Sequence, residues 1–286
     1  MSARSEPGLR APQSRTTTDP ASATSEPGLR APQSRTTTDP ASATSEPGLR
    51  APQSRTTTDP ASARSEPGLR APQSRAESCA ADGFGDALRR RSGVHWLVHA
   101  DGVRRRLPVE RWHGPAEAAT AAVVARCDGP TLDLGCGPGR VAAALTRAGV
   151  TTVGVDVCAR AVALTRARGA VALRADLFAP LPAEGRWRHV VLLDGNIGIG
   201  GDPARLLRRC RELLRPDGVV LVELDPPGSG AWQGQAHVVS GRRRGPSFGW
   251  ARLDTRAVHP AAAAAGLAVR DLRPNGGRWF AELVTA

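Results

Sequence analysis

Residues 131–140 read TLDLGCGPGR. A short apolar strand carrying one acid, Asp133, runs into a loop with glycine at 135, 137 and 139, and a helical pattern begins at once. Glycine permits positive φ and lets a ligand approach without meeting a Cβ. Strand, glycine turn and helix in this order hold a nucleotide-like cofactor against bare backbone, and the chain from Ala76 onward is ordered around that loop.

Outward from the loop, strands alternate with helices. Strands are expected at 151–155, 170–173, 189–193 and 219–224, with Asp156, Asp176 and Asp194 at or just beyond strand ends. Helices are expected at 140–148 and 159–168, and again after Asp202-Pro203, which supply a cap and a first-turn proline. A strand near 248–253, a helix at 255–265 and closing strands at 267–272 and 278–284 follow. Such alternation gives βαβ units with right-handed crossovers and a mostly parallel, doubly wound α/β sheet. Its ligands lie beyond the carboxyl ends of the strands. Upstream, 94–109 alternates like a hairpin turning at Asp101-Gly102, with Trp96 in a small core beside His95 and His99. Pro115 suits the first turn of a helix reaching about 126. The loop text up to 247 that follows Gly228 carries no recognisable motif. The expected divisions are an N-terminal cap or substrate segment at 76–127 and a cofactor-binding domain at 128–286.

The first 75 residues offer no core. The unit SEPGLRAPQSRTTTDPASAT starts at Ser5, recurs unchanged at Ser25, returns at Ser45 with only its last residue altered, and is partly copied from Ser65. Each copy has one leucine and no aromatic residue, so these tandem repeats are expected to be disordered. Two readings stand: an expanded leader without function, and a spacer or substrate for Ser/Thr modification. The net charge of +12 is carried by arginine alone, for the chain has no lysine, and only +3 of it lies in the repeats. Arginine runs at 89–91, 104–106 and 242–244 fit either attraction of phosphates and acidic substrates or a GC-rich coding bias. The five cysteines show no CxxC pairing, and no apolar run approaches the ~18 residues of a membrane span. Reduced thiols, no metal, no membrane and a cytoplasmic location are expected.

Loop spacing separates the candidate cofactors. A dinucleotide fingerprint asks for G-x-G-x-x-G, whereas here Arg140 stands where the last glycine would be and Asp133 would repel a pyrophosphate. A nucleoside without phosphates, bearing an ammonium and a sulfonium, suits the pattern better. Five motifs occur in order: Asp133-Leu134-Gly135-Cys136-Gly137-Pro138-Gly139, Asp156 after Val153-Gly154-Val155, Asp176-Leu177, Asp194-Gly195-Asn196, and Leu213-Leu214-Arg215-Pro216-Asp217-Gly218. On these, residues 76–286 resemble the class I S-adenosylmethionine-dependent methyltransferases. The resemblance implies a Rossmann-like, seven-stranded sheet and S-adenosyl-L-methionine as cofactor. It further implies that Asp133, Gly135, Cys136, Gly137 and Gly139 wrap the methionine part. Asp156 with Val157 would take the ribose hydroxyls, Asp176 with Leu177 the adenine, and Asp194 would lie beside the methyl group.

Methyl transfer is an in-line displacement, so alignment and exclusion of water dominate, with a base needed only for some acceptors. His113, just before the first long helix, and Asn196, in the loop after the fourth strand, are the candidate catalytic or positioning residues. Asp225-Pro226-Pro227-Gly228 resembles a motif of methyltransferases acting on nucleic-acid bases, but it follows the fifth strand and ends in glycine. The fourth-strand segment DGNIGIGG also has no aromatic residue to stack a flipped base. A small-molecule acceptor is therefore expected. The alternatives are an RNA or protein methyltransferase, for which the arginine runs speak, and a cofactor-binding protein without turnover.

Overall fold

The computed structural model describes residues 83–90 and 92–286. The repeats of 1–75 and Cys79 lie outside the described residues. Helix α1 (83–89), the hairpin β1 (His95–His99) and β2 (Arg104–Arg106), and helices α2 (Val109–His113) and α3 (Ala118–Val124) precede the glycine loop. Then come β3 (Thr131–Leu134), α4 (Arg140–Arg147), β4 (Thr152–Asp156), α5 (Ala159–Ala167), β5 (Val171–Arg174) and β6 (Trp187–Leu192). A 3-10 segment (Asn196–Gly201) leads into α6 (Pro203–Leu213), β7 (Leu214–Leu224), β8 (Ala231–Ser240) and β9 (Arg243–Leu253). Helix α7 (Val258–Ala264) and strands β10 (Leu267–Asn275) and β11 (Arg278–Thr285) close the chain.

Seven strands form the expected sheet, in the order β10-β11-β7-β6-β3-β4-β5. Neighbours from β7 to β5 run parallel, and β11 is antiparallel to both β7 and β10. The chain leaves β3 for β4 and β5 on one side and returns to β6 and β7 on the other. The order therefore reverses beside β3, which opens a crevice at the carboxyl ends of β3 and β6. Both faces are apolar, as a covered parallel sheet requires. Val190, Leu192, Val220 and Val222 pack with Leu206, Leu207 and Cys210 of α6, while Val191, Leu193, Val219 and Leu221 pack with Val123 of α3 and Leu145 of α4.

The structure departs from the sequence reading above this sheet. The stretch expected as a loop up to 247 contributes β8, and the strand expected at 248–253 begins at Arg243. Together with β1 and β2 they build a second, antiparallel sheet ordered β2-β1-β8-β9, whose core contains Leu97, Leu107, Ala236, Val238, Phe248 and Trp250. In the hairpin, His95, Leu97 and His99 turn inward. Strand side chains alternate faces, so Trp96 is half-buried on the opposite side, where the Arg104 guanidinium lies 5.0 Å from its ring centroid. The helix expected from Pro115 begins at Ala118, because extended Glu117 is its N-cap. Asp202 caps α6 as expected, accepting from the Arg205 amide at 3.0 Å.

Candidate functional site

A cavity of about 990 Å³ is lined from both sheets. Its floor is the glycine loop, where Gly135, Gly137 and Gly139 all take positive φ (72°, 53° and 82°). A Cβ at Gly135 would stand 2.7 Å from Asn196 Nδ2 and one at Gly139 would stand 2.6 Å from Thr165 Oγ1, whereas at Gly137 the nearest atom is 4.0 Å away. Two of the glycines therefore admit neighbours, and the middle one leaves bare backbone facing open space. Asn196 Nδ2 donates to the carbonyls of Leu134 and Gly135, both at 2.9 Å, and so fastens the loop to the 3-10 segment.

The strand-end acids are held by backbone amides. Asp156 accepts from Gly137 at 3.0 Å and Cys158 at 2.8 Å, and burial pushes its pKa up. Asp133 accepts from Ala142, in the first turn of α4, at 3.0 Å. Its complete burial, only partly opposed by that amide and by Arg140, pushes its pKa up to about 7. Asp176 accepts from Phe178 at 2.9 Å beside buried Leu177. The Cys136 thiol is raised well above its ordinary range by burial and lies 3.5 Å from Thr165 Oγ1, so it is a packing group and not a nucleophile. Among the described residues no group of His, Cys, Asp or Glu is placed to hold a metal.

Asp194 is a non-glycine residue at φ 56°. Such strain persists where the surroundings over-determine it, and here they do. Its amide donates to Glu223 at 2.5 Å, while its carboxylate takes Arg140 at 2.6 Å, Arg111 at 3.0 Å and Arg278 at 3.3 Å. Arg140 and Arg278 also engage Glu117, and Arg278 engages Glu223. Three guanidiniums thus meet three carboxylates. Arg140 is buried at the first position of α4, where a cation opposes the helix dipole; the acids around it offset that cost.

The opposite wall is aromatic. Five of the chain's ten Phe and Trp residues line this cavity: Phe84, Trp112, Phe178, Phe248 and Trp250. Phe84 lies 5.3 Å from Phe248 and 5.6 Å from Trp250, centroid to centroid. A Cβ on Gly198 would collide with the Ala251 carbonyl and stand 2.8 Å from the Trp250 indole nitrogen. The 3-10 segment is bare at that point so that β9 can close on it, and β9 supplies the rings which DGNIGIGG itself lacks.

Of the residues expected to hold the cofactor, all but Gly139 line the cavity, and Asn196 does so too. His113 does not. It lies at a separate shallow depression with Arg147 and Arg168, its carbonyl accepting from Arg168 Nη2 at 2.5 Å. None of the six histidines lines the cavity. Sequence reasoning missed the ion network and the pair of arginines on Asp225. The available signals were a lone acid in the apolar strand VVLVEL, an arginine opening a helix, and the alternation of ring, ring and guanidinium in FGWAR.

Residues 131–218, from β3 into β7, match the family described as a methyltransferase domain. Among solved structures, the SAM-dependent methyltransferase from Bacteroides fragilis in complex with S-adenosyl-L-homocysteine is similar, at 22% identity and a TM-score of 0.58, over 74% of this chain and 96% of that one. The CcbJ methyltransferase from Streptomyces caelestis is similar at 19% identity and a TM-score of 0.52, over 73% of this chain and 99% of that one. No curated protein matches the chain in sequence. At these identities the likeness to the two structures is one of fold, and it spans nearly the whole of both.

Proposed function

We propose that this chain is an S-adenosylmethionine-dependent methyltransferase, as its methyltransferase-domain match supports, and that it delivers the methyl group to a small-molecule acceptor lodged against the β2-β1-β8-β9 sheet. The observation that carries the proposal is one continuous cavity with strand-end acids and bare glycine on one side and an aromatic wall on the other. Its volume of about 990 Å³ stands at the upper end of the roughly 300–1,000 Å³ typical of ligand pockets, which suits a cofactor together with a small acceptor.

The residues present fit S-adenosylmethionine, which when bound supplies an electrophilic methyl on a sulfonium. Asp156 would accept from the ribose hydroxyls with the lone pairs left over after its two amide bonds. Asp176 and Leu177 would hold the adenine, and the Gly137 backbone with Asp133 would face the methionine part, whose ammonium answers a carboxylate that burial leaves costly. Asn196 is a positioning residue that fixes the loop. No chemical step is proposed for His113. Rate then rests on alignment and on a wall that excludes water. The cap would be the sheet in which β1 and β2 join β8 and β9. Among the described residues four cysteines are free and buried, which supports a reducing, cytoplasmic setting, and no helix there is long and apolar enough to cross a membrane.

Calorimetry with S-adenosylhomocysteine tests the cofactor roles. Asp156→Ala is expected to weaken binding at least about tenfold, the loss of hydrogen bonds to a charged group; an unchanged affinity defeats the assignment. Labelled methyl transfer into a cell extract tests the acceptor class: label is expected in the small-molecule fraction, and label confined to RNA or protein defeats it.

A further inference from the structure

Strand β9 alternates faces, and one face carries Phe248, Trp250 and Arg252, all three lining the cavity. At about 3.3 Å per residue, two rings and a guanidinium stand in a row roughly 13 Å long. Across from the rings stand Phe84 and Trp112, with Phe84 and Trp112 centroids 6.2 Å apart. The rings abut the 3-10 segment at Gly198, two residues beyond Asn196, so they flank the place where the glycine loop is fastened.

The charged end of the row has an uneven balance. Arg252 from β9 and Arg105 from β2 both engage Asp225, the latter at 3.2 Å. Two guanidiniums share one carboxylate, which leaves one positive charge in excess beside an apolar wall. Arg106 and Arg111 also line the cavity, but Arg106 is answered by Glu110, and Arg111 belongs to the balanced network of three guanidiniums and three carboxylates around Asp194. The acids of this half, in turn, are all engaged: Asp194 by three arginines, Glu223 by Arg278, and Asp225 by two. An ammonium entering here would find no carboxylate without an arginine partner. A carboxylate or phenolate would find a guanidinium pair, whose planar donors suit bidentate binding.

We propose that the acceptor is a planar aromatic molecule bearing an anionic group, its ring against Phe248 and Trp250 and its charge at Arg252 and Arg105. The proposal rests on the methyltransferase reading of the same cavity and deepens it by naming the acceptor's chemistry. It also gives Asp225, in the sequence DPPG, a role: it holds the two guanidiniums together at the wall's end and keeps the site from carrying a double positive charge when empty.

The test uses the full chain saturated with S-adenosylhomocysteine and three probes of matched size, benzoate, benzamide and cyclohexanecarboxylate, titrated by saturation-transfer NMR. Benzoate is expected to bind at least about tenfold more tightly than benzamide, the scale of a lost charge-assisted hydrogen bond. It is also expected to exceed cyclohexanecarboxylate, which has the charge without the π-face. Arg252→Gln is expected to abolish the preference for benzoate over benzamide, and Trp250→Leu to weaken both. Equal binding of benzoate and benzamide, equal binding of benzoate and cyclohexanecarboxylate, or a preference that survives Arg252→Gln overturns the proposal. So does failure of all three probes to bind. S-adenosylhomocysteine affinity, measured first on each sample, separates the failures. Its loss in the wild-type chain defeats the cofactor reading, and its retention in the variants shows that they fold.

Discussion

Replacing Asp133 by asparagine is expected to stabilise the protein while weakening its hold on the cofactor. The carboxyl is 2% exposed, one oxygen accepts from the Ala142 amide at 3.0 Å, and burial pushes its pKa from 3.8 to about 7. A carboxyl whose folded pKa lies above its unfolded value contributes stability that is complete below the unfolded value and is lost as pH rises through the folded one. For Asp133 that window runs from 3.8 to about 7. At about 1.4 kcal/mol per unit, the raised pKa costs the folded state roughly 4 kcal/mol at pH 8, where the group is buried ionised, and roughly 2 kcal/mol at pH 5, where it takes up a proton on folding. Asparagine keeps an oxygen for Ala142 and does not titrate, so the variant should gain those amounts. Urea unfolding at the two pH values measures the gain; the difference of roughly 2 kcal/mol corresponds to about 4–8 °C in melting temperature for a domain of this size. A variant no more stable than wild type at pH 8, or a gain that fails to shrink at pH 5, refutes the reasoning. Calorimetry of the same variant should show about tenfold weaker S-adenosylhomocysteine binding, because the ligand's ammonium loses the charge for which the cost is retained.

Arg140→Leu should lower stability by about 2–3 kcal/mol, since Asp194 and Glu117 lose a buried charge-assisted partner and keep only the cations they share with the rest of the network. Thermal unfolding checks this, and a loss near zero would show that the network is not coupled as drawn. Gly198→Ala should cost about 1–3 kcal/mol of overpacking, because the new Cβ meets the Ala251 carbonyl and the Trp250 indole. Quenching of tryptophan fluorescence by acrylamide should rise as β9 is pushed off the segment, and an unchanged melting curve with unchanged quenching would contradict the close approach.

Whatever was local in the chain was legible in the sequence. TLDLGCGPGR, VGVD and the apolar strands each state their element within a few residues, and the acids at their ends fall where the crevice forms. Of the second sheet, the β1-β2 hairpin and the end of β9 were legible, but β8 and the assembly of the four strands were not, because the order is set by partners far away. β8 pairs with β1 more than a hundred residues earlier, through His95–Ser240 and Leu97–Val238. Gly245 and Pro246 interrupt β9, which tolerates a proline because it is the sheet's edge strand. β2 is nothing but arginine, a charged edge legible only through the Asp101-Gly102 turn that joins it to β1. The ion network was invisible for the same reason: Arg111, Glu117, Arg140, Asp194, Glu223 and Arg278 come from six separate places and meet only in the fold.

The two halves of the cavity set opposite electrostatic conditions, and Asp194 stands between them. Asp133, Asp156 and Asp176 receive hydrogen bonds only from backbone amides, which leaves their remaining lone pairs for the ammonium, hydroxyl and amino donors of the proposed cofactor. Across the cavity every carboxylate already has a guanidinium, which leaves the excess charge for a ligand that brings an anion. The boundary is fixed by strain that the network contains: Asp194 cannot relax its φ of 56° without giving up bonds to Arg140 and Arg278. Arg111, which also binds Asp194, is the neighbour of Trp112 in the aromatic wall. Moving that wall relative to the glycine loop therefore means breaking a partly buried ion pair, an outlay an enzyme that relies on alignment has reason to impose. On the proposed function, rigidity between the loop and the wall, built before any ligand arrives, would serve the alignment on which methyl transfer rests.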